Sequence, residues 1–552
     1  MSSQNHENIS FDIVVIGSGF GGSVCAMRLA QKGYSVAILE LGKRISIDRF
    51  PKTDWQLWRY FWKPIVKFFG PQRISLLKGV MVLHAAGVGG GSLVYANTLM
   101  KPPPEVFQDP SWPKGKNWQE ELNPHYETAE KMLGVTTNPY LNEGEEVLKK
   151  IGEKMGVKES FHPTEVGVFF GVPGESVPDP YFSGLGPDRT GCISCGACML
   201  GCRYNAKNTL DKNYLFFAEK WGAKIFPETK ALKIIPKDES YQIETICSTS
   251  WFFKNRRVFS AKKVILSAGV LGTMDFLLKN REVFKTLPNL SSFLGKRVST
   301  NGESLLGVTS FDQHRKLSVG ISIGAAIHPN PKTKIEMVRF SDKSSFWRLL
   351  GVPLTPNGGK ITRPMKALIR FFLRFPFYMR AFLKKNWANS SLILLVMQYV
   401  DNHIEFNMGR SIVSFFRKDL QGRPSEAPIP AYIPLAQESA KILSKEINGE
   451  PVNIASEALL STPATAHILG GCRMGDSPEK SVIKENHEVF GYSGLYVCDG
   501  SVIPCNLAVN PSFTITALAE RFASKFPKSE NLSEEEYEKR KIIFGPKKRN
   551  LN

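Results

Sequence analysis

The chain has 552 residues, 42% of them apolar and 22% charged, which is close to folded globular averages and excludes a mainly disordered, collagenous or disulfide-scaffold protein. At about 150 residues per domain, the length implies three or four domains' worth of chain or one large enzyme with insertions. Lys and Arg outnumber Asp and Glu by 71 to 51, a net +20 that favours anionic surfaces and acidic partners, but no nucleic-acid module accompanies the charge and no apolar run approaches a membrane span.

The N-terminal MSSQNHENIS has neither the basic nor the apolar stretch of a secretory signal, and nine cysteines are too sparse for a disulfide framework; both predict a cytoplasmic protein. Residues 11–16 form a β-branched apolar run, followed by Gly17-Ser18-Gly19-Phe20-Gly21-Gly22, an Ala/Leu/Met-rich segment to Ala30, and a second apolar run from Tyr34 to Leu39. The pattern predicts strand, tight turn, helix, strand. In that setting Gly17-x-Gly19-x-x-Gly22 reads as a dinucleotide fingerprint, with backbone N–H groups around Phe20 turned to a pyrophosphate and Glu40 ending the second strand, placed to accept from ribose hydroxyls. A carboxylate at that point disfavours a 2′-phosphate and leaves NAD or FAD.

Farther along, Trp55, Trp58, Tyr60, Phe61, Trp62, Phe68 and Phe69 stand beside Arg59, Lys63 and Lys67, and predict a basic amphipathic helix over 55–69. The run Ala86-Gly87-Val88-Gly89-Gly90-Gly91-Ser92 predicts backbone laid against a flat ring system. Cys192-x2-Cys195-x2-Cys198-x3-Cys202 repeats the spacing of a ferredoxin cluster loop, with Arg203 where proline usually follows; it predicts one iron–sulfur cluster, with a four-cysteine zinc site and unliganded thiols as the alternatives. Lys263 to Leu266, leading into Ser267-Ala268-Gly269, and Leu495 to Val497, leading into Cys498-Asp499-Gly500, predict further strands of one interrupted α/β sheet. Glu336 falls on a predicted strand amid alternating apolar residues. Lys366, Arg370 and Arg374 recur every four residues among Leu368, Ile369, Phe371, Phe372 and Leu373, a second amphipathic helix cut by Pro376. The two aromatic, basic segments together predict docking on a membrane surface, at its inner face. The charge-dense stretch SEEEYEKRKIIFGPKKRN predicts a mobile tail.

The N-terminal fingerprint, GVGGGSLVYAN at 87–97, LSAGVLGT at 266–273, HILGGCRMG at 467–475 and LYVCDGSVIPCNLAVNPSFTITALAER at 495–521 together resemble the glucose/methanol/choline family of flavin oxidoreductases, most closely its cholesterol oxidase branch. Tyr95-Ala96-Asn97 stands where that branch often continues with Asn-Gly-Gly. The resemblance implies FAD bound non-covalently by a split Rossmann-like α/β domain (8–50, 78–112, 190–306 and 455–530), and a substrate domain (51–77, 113–189 and 307–454) whose mixed or antiparallel sheet covers the flavin; 531–552 is the tail. It implies that Gly17, Gly19, Phe20, Gly22, Glu40, Gly89, Gly90, Gly91, Ser92, Asn97, Ala268, Gly269, Asp499, Gly500, Asn510, Pro511 and Phe513 hold the cofactor, and that His467 and Asn510 face it. An imidazole near neutrality suits removal of a hydroxyl proton as hydride leaves the carbinol carbon. Glu336 falls where the branch carries a carboxylate that moves a proton between carbons. The expected reaction is oxidation of a sterol-like or long-chain alcohol, with electrons passing through the cysteine loop to a protein or quinone acceptor. The rival readings are a flavin and iron–sulfur relay without alcohol chemistry, and a non-catalytic membrane partner.

Overall fold

A computed structural model of the chain describes residues 8–251, 254–410 and 417–545. Its principal strands are β1 (Asn8–Ile16), β2 (Val36–Leu39), β3 (Lys224–Phe226), β4 (Thr229–Lys237), β5 (Ser240–Cys247), β6 (Arg257–Leu266), β7 (Ser304–Ser310), β8 (Ile323–Asn330), β9 (Thr333–Val338), β10 (Ser391–Gln398), β11 (Gly449–Ile454) and β12 (Leu495–Val497). The main helices are α1 (Phe20–Gln31), α2 (Trp118–Leu133), α3 (Glu143–Lys154), α4 (Tyr214–Lys220), α5 (Gly269–Glu282), α6 (Thr362–Leu373), α7 (Phe375–Phe382), α8 (Pro434–Glu446) and α9 (Ser512–Ser524).

The first sheet runs β3-β2-β1-β6-β5-β4, with β12 beside β6. β1 pairs in parallel with β2 and β6, and β6 with β12, so segments more than 200 residues apart end at one edge of the sheet. The expected strands at 11–16, 34–39, 263–266 and 495–497 thus do join one sheet. Burial explains their continuous apolar runs: α1 packs on β1, β2 and β6, α4 and α9 pack in turn on α1, and the strand residues Ile13–Ile16 and Val36–Leu39 are all buried, which leaves no place for polar alternation. The antiparallel hairpin of β4 and β5 makes this sheet mixed.

The second sheet is antiparallel, in the order β11-β7-β10-β9-β8, with Gly351–Pro353 and His162–Pro163 at its edges. β9 is buried throughout, and its alternate residues part company: Ile335 and Met337 enter the core under α3 and α8, whereas Val338 joins Leu395 on the opposite face, the face of Lys334 and Glu336. Strand β7 extends across the expected boundary at 306, and the hairpin of Gln72–Leu77 with Val80–Ala85 extends across that at 77.

Two local expectations are corrected. Residues 55–69 are no helix but a single turn, Leu57–Tyr60, followed by a hairpin of Trp62–Lys63 with Phe68–Phe69. Pro64 starts the connecting turn and Lys67, at φ 58°, closes it. The C-terminal segment is docked rather than free: Arg540 donates to the Ala30 carbonyl at 2.8 Å, Leu532 is buried, and Phe544 packs on Phe182. Residues 546–552 of the expected tail lie outside the described residues.

Candidate active site

The turn between β1 and α1 uses its glycines for three separate reasons. Gly17 has φ 105°, which L side chains rarely adopt; a Cβ on Gly19 would meet nothing within 4 Å, leaving its backbone open to a ligand; and a Cβ on Gly22 would lie 2.0 Å from the Gly17 carbonyl, so helix and strand pack at contact. The first turn of α1 carries no acidic residue, leaving its N–H groups for an anion. These are the requirements of a bound pyrophosphate, and the donor set fits the phosphates of a dinucleotide.

This cradle opens into a cavity of about 1140 Å³, lined by Gly17, Gly19, Phe20, Glu40, Gly90, Gly91, Ala268, Gly269, His467, Asp499, Gly500, Asn510 and Pro511. Segments from five parts of the sequence therefore meet as expected. The others do not line it. Phe513 points into the core, 5.0 Å from the Tyr126 ring, because it begins the buried face of α9. Ser92 is spent locally, donating to the Gly89 carbonyl at 2.7 Å and accepting from Leu210 N–H at 3.1 Å. Gly22 and Gly89 support the two loops from behind. Asn97 is buried at φ 73° with neither amide atom hydrogen-bonded, between the lining residues Ala96 and Thr98.

Glu40 does something the spacing alone did not reveal. Its carboxylate accepts from Ser18 N–H (3.1 Å), Ser18 O–H (2.6 Å), Gly42 N–H (2.8 Å) and Gly87 N–H (3.1 Å). Those four bonds occupy the usual acceptor positions of a carboxylate and tie the two glycine loops together.

At another part of the cavity wall four buried side chains form a line. Glu303 Oε1 lies 2.7 Å from His467 Nδ1, His467 Nε2 lies 3.3 Å from Asn510 Nδ2, and that amide also donates to Glu336 Oε2 at 3.4 Å. Glu303 accepts in addition from Thr465 O–H and Ala466 N–H, which fixes its orientation. An ionised Glu303 can only accept, so it places the proton on Nδ1 and leaves the Nε2 lone pair toward Asn510. Burial pulls the His467 pKa down, but Glu303 and then Glu336 outweigh it and the net shift is upward. Glu336 has its pKa raised by burial, opposed by Lys334, His467 and the Asn510 bond. Asn510 Oδ1 and Glu336 Oε1 have no partner, so the line ends in unspent acceptors. Such a set can take a hydroxyl proton, hold the resulting cation against a carboxylate, and supply a second carboxyl group whose protonated form burial favours.

Sequence reasoning missed Glu303, 164 residues from His467 and in no motif, and Lys334, whose burial beside Glu336 is set by the pleat. The apolar part of the cavity is lined by Leu305, Phe340, Trp347, Ile393, Leu395 and Trp387. It reaches the surface near Ile65, 74% exposed, with Tyr378 and Phe382 of α7 also in its wall.

The four clustered cysteines lie beside this cavity. Cys192, Cys198 and Cys202 accept backbone N–H bonds from Ser194, Ser322 and Ala206 at 3.4–3.5 Å, and Met199, next to Cys198, lines the cavity. Burial, reinforced by Cys198, pushes the thiols of Cys192 and Cys195 up to about 12. Among the described residues, no three or more His, Cys, Asp or Glu side chains close around a point that would hold a metal ion.

α6 and α7 form where the charge pattern predicts, with the break at Arg374, and Lys366, Arg370 and Arg374 are exposed beside a row of equally exposed apolar side chains. Arg363 is buried, Arg370 donates to the Leu354 carbonyl at 2.7 Å, and Arg374 pairs with Glu450. Ile361, Met365, Leu368, Ile369, Phe372 and Leu373 are left 55–76% exposed. Among the described residues no helix is long and apolar enough to cross a membrane.

Comparison with known proteins agrees with this geometry. Two GMC oxidoreductase family models match residues 184–280 and 389–519, and a pyridine nucleotide-disulphide oxidoreductase model matches 11–85. A cholesterol oxidase of Acinetobacter baumannii is 42% identical over 540 residues, covering 96% of this chain and 97% of that one. A long-chain-alcohol oxidase of Arabidopsis thaliana is 24% identical over 561 residues, covering 94% of this chain and 68% of the relative. Among solved structures, pyridoxine 4-oxidase from Mesorbium loti shares the fold, with TM-score 0.62 at 14% identity over 93% of this chain and 99% of that one. The chain belongs to the GMC oxidoreductase family and is an FAD-dependent alcohol oxidoreductase.

Proposed function

We propose that the chain oxidises a membrane-borne sterol or long-chain alcohol to its carbonyl. The observation that carries this is the buried line Glu303–His467–Asn510–Glu336 in the wall of a cavity that has a glycine cradle on one side and an apolar half on another. Gly17, Gly19, Gly90, Gly91, Ala268, Gly269, Asp499, Gly500 and Pro511 hold FAD, which when bound supplies the hydride acceptor. His467 Nε2 takes the hydroxyl proton of the alcohol, and Glu303 stabilises the imidazolium that results. Asn510 Oδ1 orients the hydroxyl or the cofactor without changing charge. Glu336, held protonatable by burial, moves a proton between carbons where the product carries a mobile double bond. The names of the sterol and long-chain alcohol relatives support the substrate class, as does the aromatic and aliphatic lining.

The outward apolar face of α6, the exposed Trp58 of the turn Leu57–Tyr60, and Ile65 and Val66 of the hairpin that follows flank the side on which the cavity reaches the surface, and serve as the docking face on a lipid bilayer. The two electrons taken from the alcohol pass from the reduced cofactor to an external acceptor. The reaction is tested by adding cholesterol or a long-chain primary alcohol, in detergent, to the anaerobic flavoprotein. Bleaching of the flavin bands with stoichiometric carbonyl formation is expected; no bleaching by either class, with dithionite still bleaching the flavin, would refute it.

A further inference from the structure

We infer that Lys334, His328 and His162 form a titratable row that carries protons from Glu336 to water, leading away from the cavity mouth; the inference rests on the alcohol oxidation proposed above. The first argument is direction along one strand. Phe340 and Val338 line the apolar part of the cavity, Glu336 stands in the catalytic line, and Lys334 follows on the same face of β9, farther from the apolar lining. The strand therefore passes from mouth to carboxylate to lysine.

The second argument is register across the sheet. Ala326 of β8 pairs with Glu336 and Ile327 with Ile335, and Ala325 and Ile327 enter the core under α3 and α8, so His328 turns to the face of Glu336 and Lys334. The register shifts between Ile327 and Asn330, which sets His328 and Pro329 together opposite Lys334. The His328 ring stacks on that of His162, 5.2 Å between centroids and 13° from parallel. His162 ends the row at the sheet edge and is partly exposed. Its Nδ1 lies 2.9 Å from the Ser160 carbonyl, which only accepts, so Nδ1 keeps a proton and Nε2 is the atom that exchanges.

The third argument is the state of each group. Glu336 is 0% and Lys334 5% exposed, and Lys334 Nζ contacts Met100 Sδ. Two acids face Lys334, Glu336 and the exposed Glu165, and His328 and His162 face it from β8 and the sheet edge. Burial lowers the Lys334 pKa against both acids, and burial, then Lys334 and His162, lower that of His328 to about 4. A lysine able to give up its proton beside a neutral histidine suits a relay.

The reaction gives the row its use. As hydride leaves the alcohol, the hydroxyl proton goes to His467, so each turnover leaves one proton on the catalytic line. The mouth is lined by aromatic and aliphatic side chains and, on the proposed reading, faces a bilayer, so a proton leaving that way would have to cross hydrocarbon. Glu336, across Asn510 from His467 and with Oε1 unspent, takes it instead. The N–H bond at His467 Nε2 breaks as an O–H bond forms at Glu336; the proton then bonds in turn to Lys334, His328 and His162, and ends on water.

The test mixes the full-length flavoprotein, without oxygen, with phosphatidylcholine vesicles carrying cholesterol, in weak buffer with a pH indicator dye, and follows flavin bleaching and acidification together. One proton per flavin, released in step with bleaching, is expected of the parent protein. In Lys334→Met and in His328→Phe, release should lag bleaching by about tenfold or more. Lys334→Arg keeps the charge but holds its proton, so it should lag too, whereas a lysine acting only by charge or packing would be replaced by it. Release in step with bleaching in Lys334→Met and His328→Phe, or restored by Lys334→Arg, would overturn the inference. If the sterol bleaches no flavin, the proposed reaction fails and the row is judged without it, by the infrared band of the Glu336 carboxyl, identified by its loss in Glu336→Gln. Hydrogen–deuterium exchange of that band about tenfold slower in Lys334→Met supports the row, and equal exchange overturns it.

Discussion

Glu303→Gln isolates the contribution of one carboxylate to the proposed proton transfer. The side chain keeps its shape and one acceptor oxygen, so it can still accept from Thr465 and His467 at the Oε1 position while the Ala466 N–H loses its acceptor at Oε2, and it loses the negative charge 2.7 Å from His467 Nδ1. A hydrogen bond to a charged group contributes about 1.5–3 kcal/mol, which at roughly 1.4 kcal/mol per decade is a ten- to hundredfold loss in the rate of the step that makes imidazolium. The sign on the pH axis follows from the same pair. His467 has its pKa raised, with Glu303 opposing the effect of burial, and the proposed base is its neutral form, so activity falls as pH drops through that raised value. Without the carboxylate the acid limb of kcat/KM moves to lower pH while the plateau falls. Stopped-flow reduction of the bound flavin by a sterol under anaerobic conditions, across the acid range, reads both. Reduction within twofold of the parent protein, with the acid limb unmoved, would refute Glu303 as the group that holds the imidazolium.

Glu336→Gln should slow any double-bond migration by about a hundredfold or more while carbonyl formation continues, as followed by the appearance of the conjugated product. Gly21→Ala places a Cβ 1.8 Å from the Cys498 carbonyl, so a loss of about 1–3 kcal/mol and a lower flavin-to-protein ratio are expected by thermal melt and absorbance. Leu368→Asp with Phe372→Asp removes two outward apolar side chains, about 3 kcal/mol or more of bilayer burial, and should cut vesicle co-sedimentation on the order of a hundredfold with melting temperature unchanged.

The cofactor cradle was legible because a pyrophosphate imposes local rules: Gly17, Gly19 and Gly22 are each needed within six residues, and strand and helix announce themselves on either side. His467 and Asn510 were legible only through blocks of neighbouring residues. Glu303 was not, because a carboxylate joined to its histidine by the crossing of β7 with a distant loop leaves no spacing to read. The helix at 362–373 was visible from its period, but period does not say which face is turned in: Arg363 and Ala367 are the buried residues, while Arg370 and Arg374 stay exposed and bind the Leu354 carbonyl and Glu450. In residues 55–69 aromatic density mimics helical periodicity, while Pro64 forbids a helix through the segment.

The four bonds that Glu40 accepts have a consequence for how the two glycine loops are spaced. They tie Ser18, Gly42 and Gly87 to a single carboxylate, so the distance between the loops is set by the reach of one side chain. A shorter carboxylate at that place, as in Glu40→Asp, would draw the two loops together or break half of the bonds.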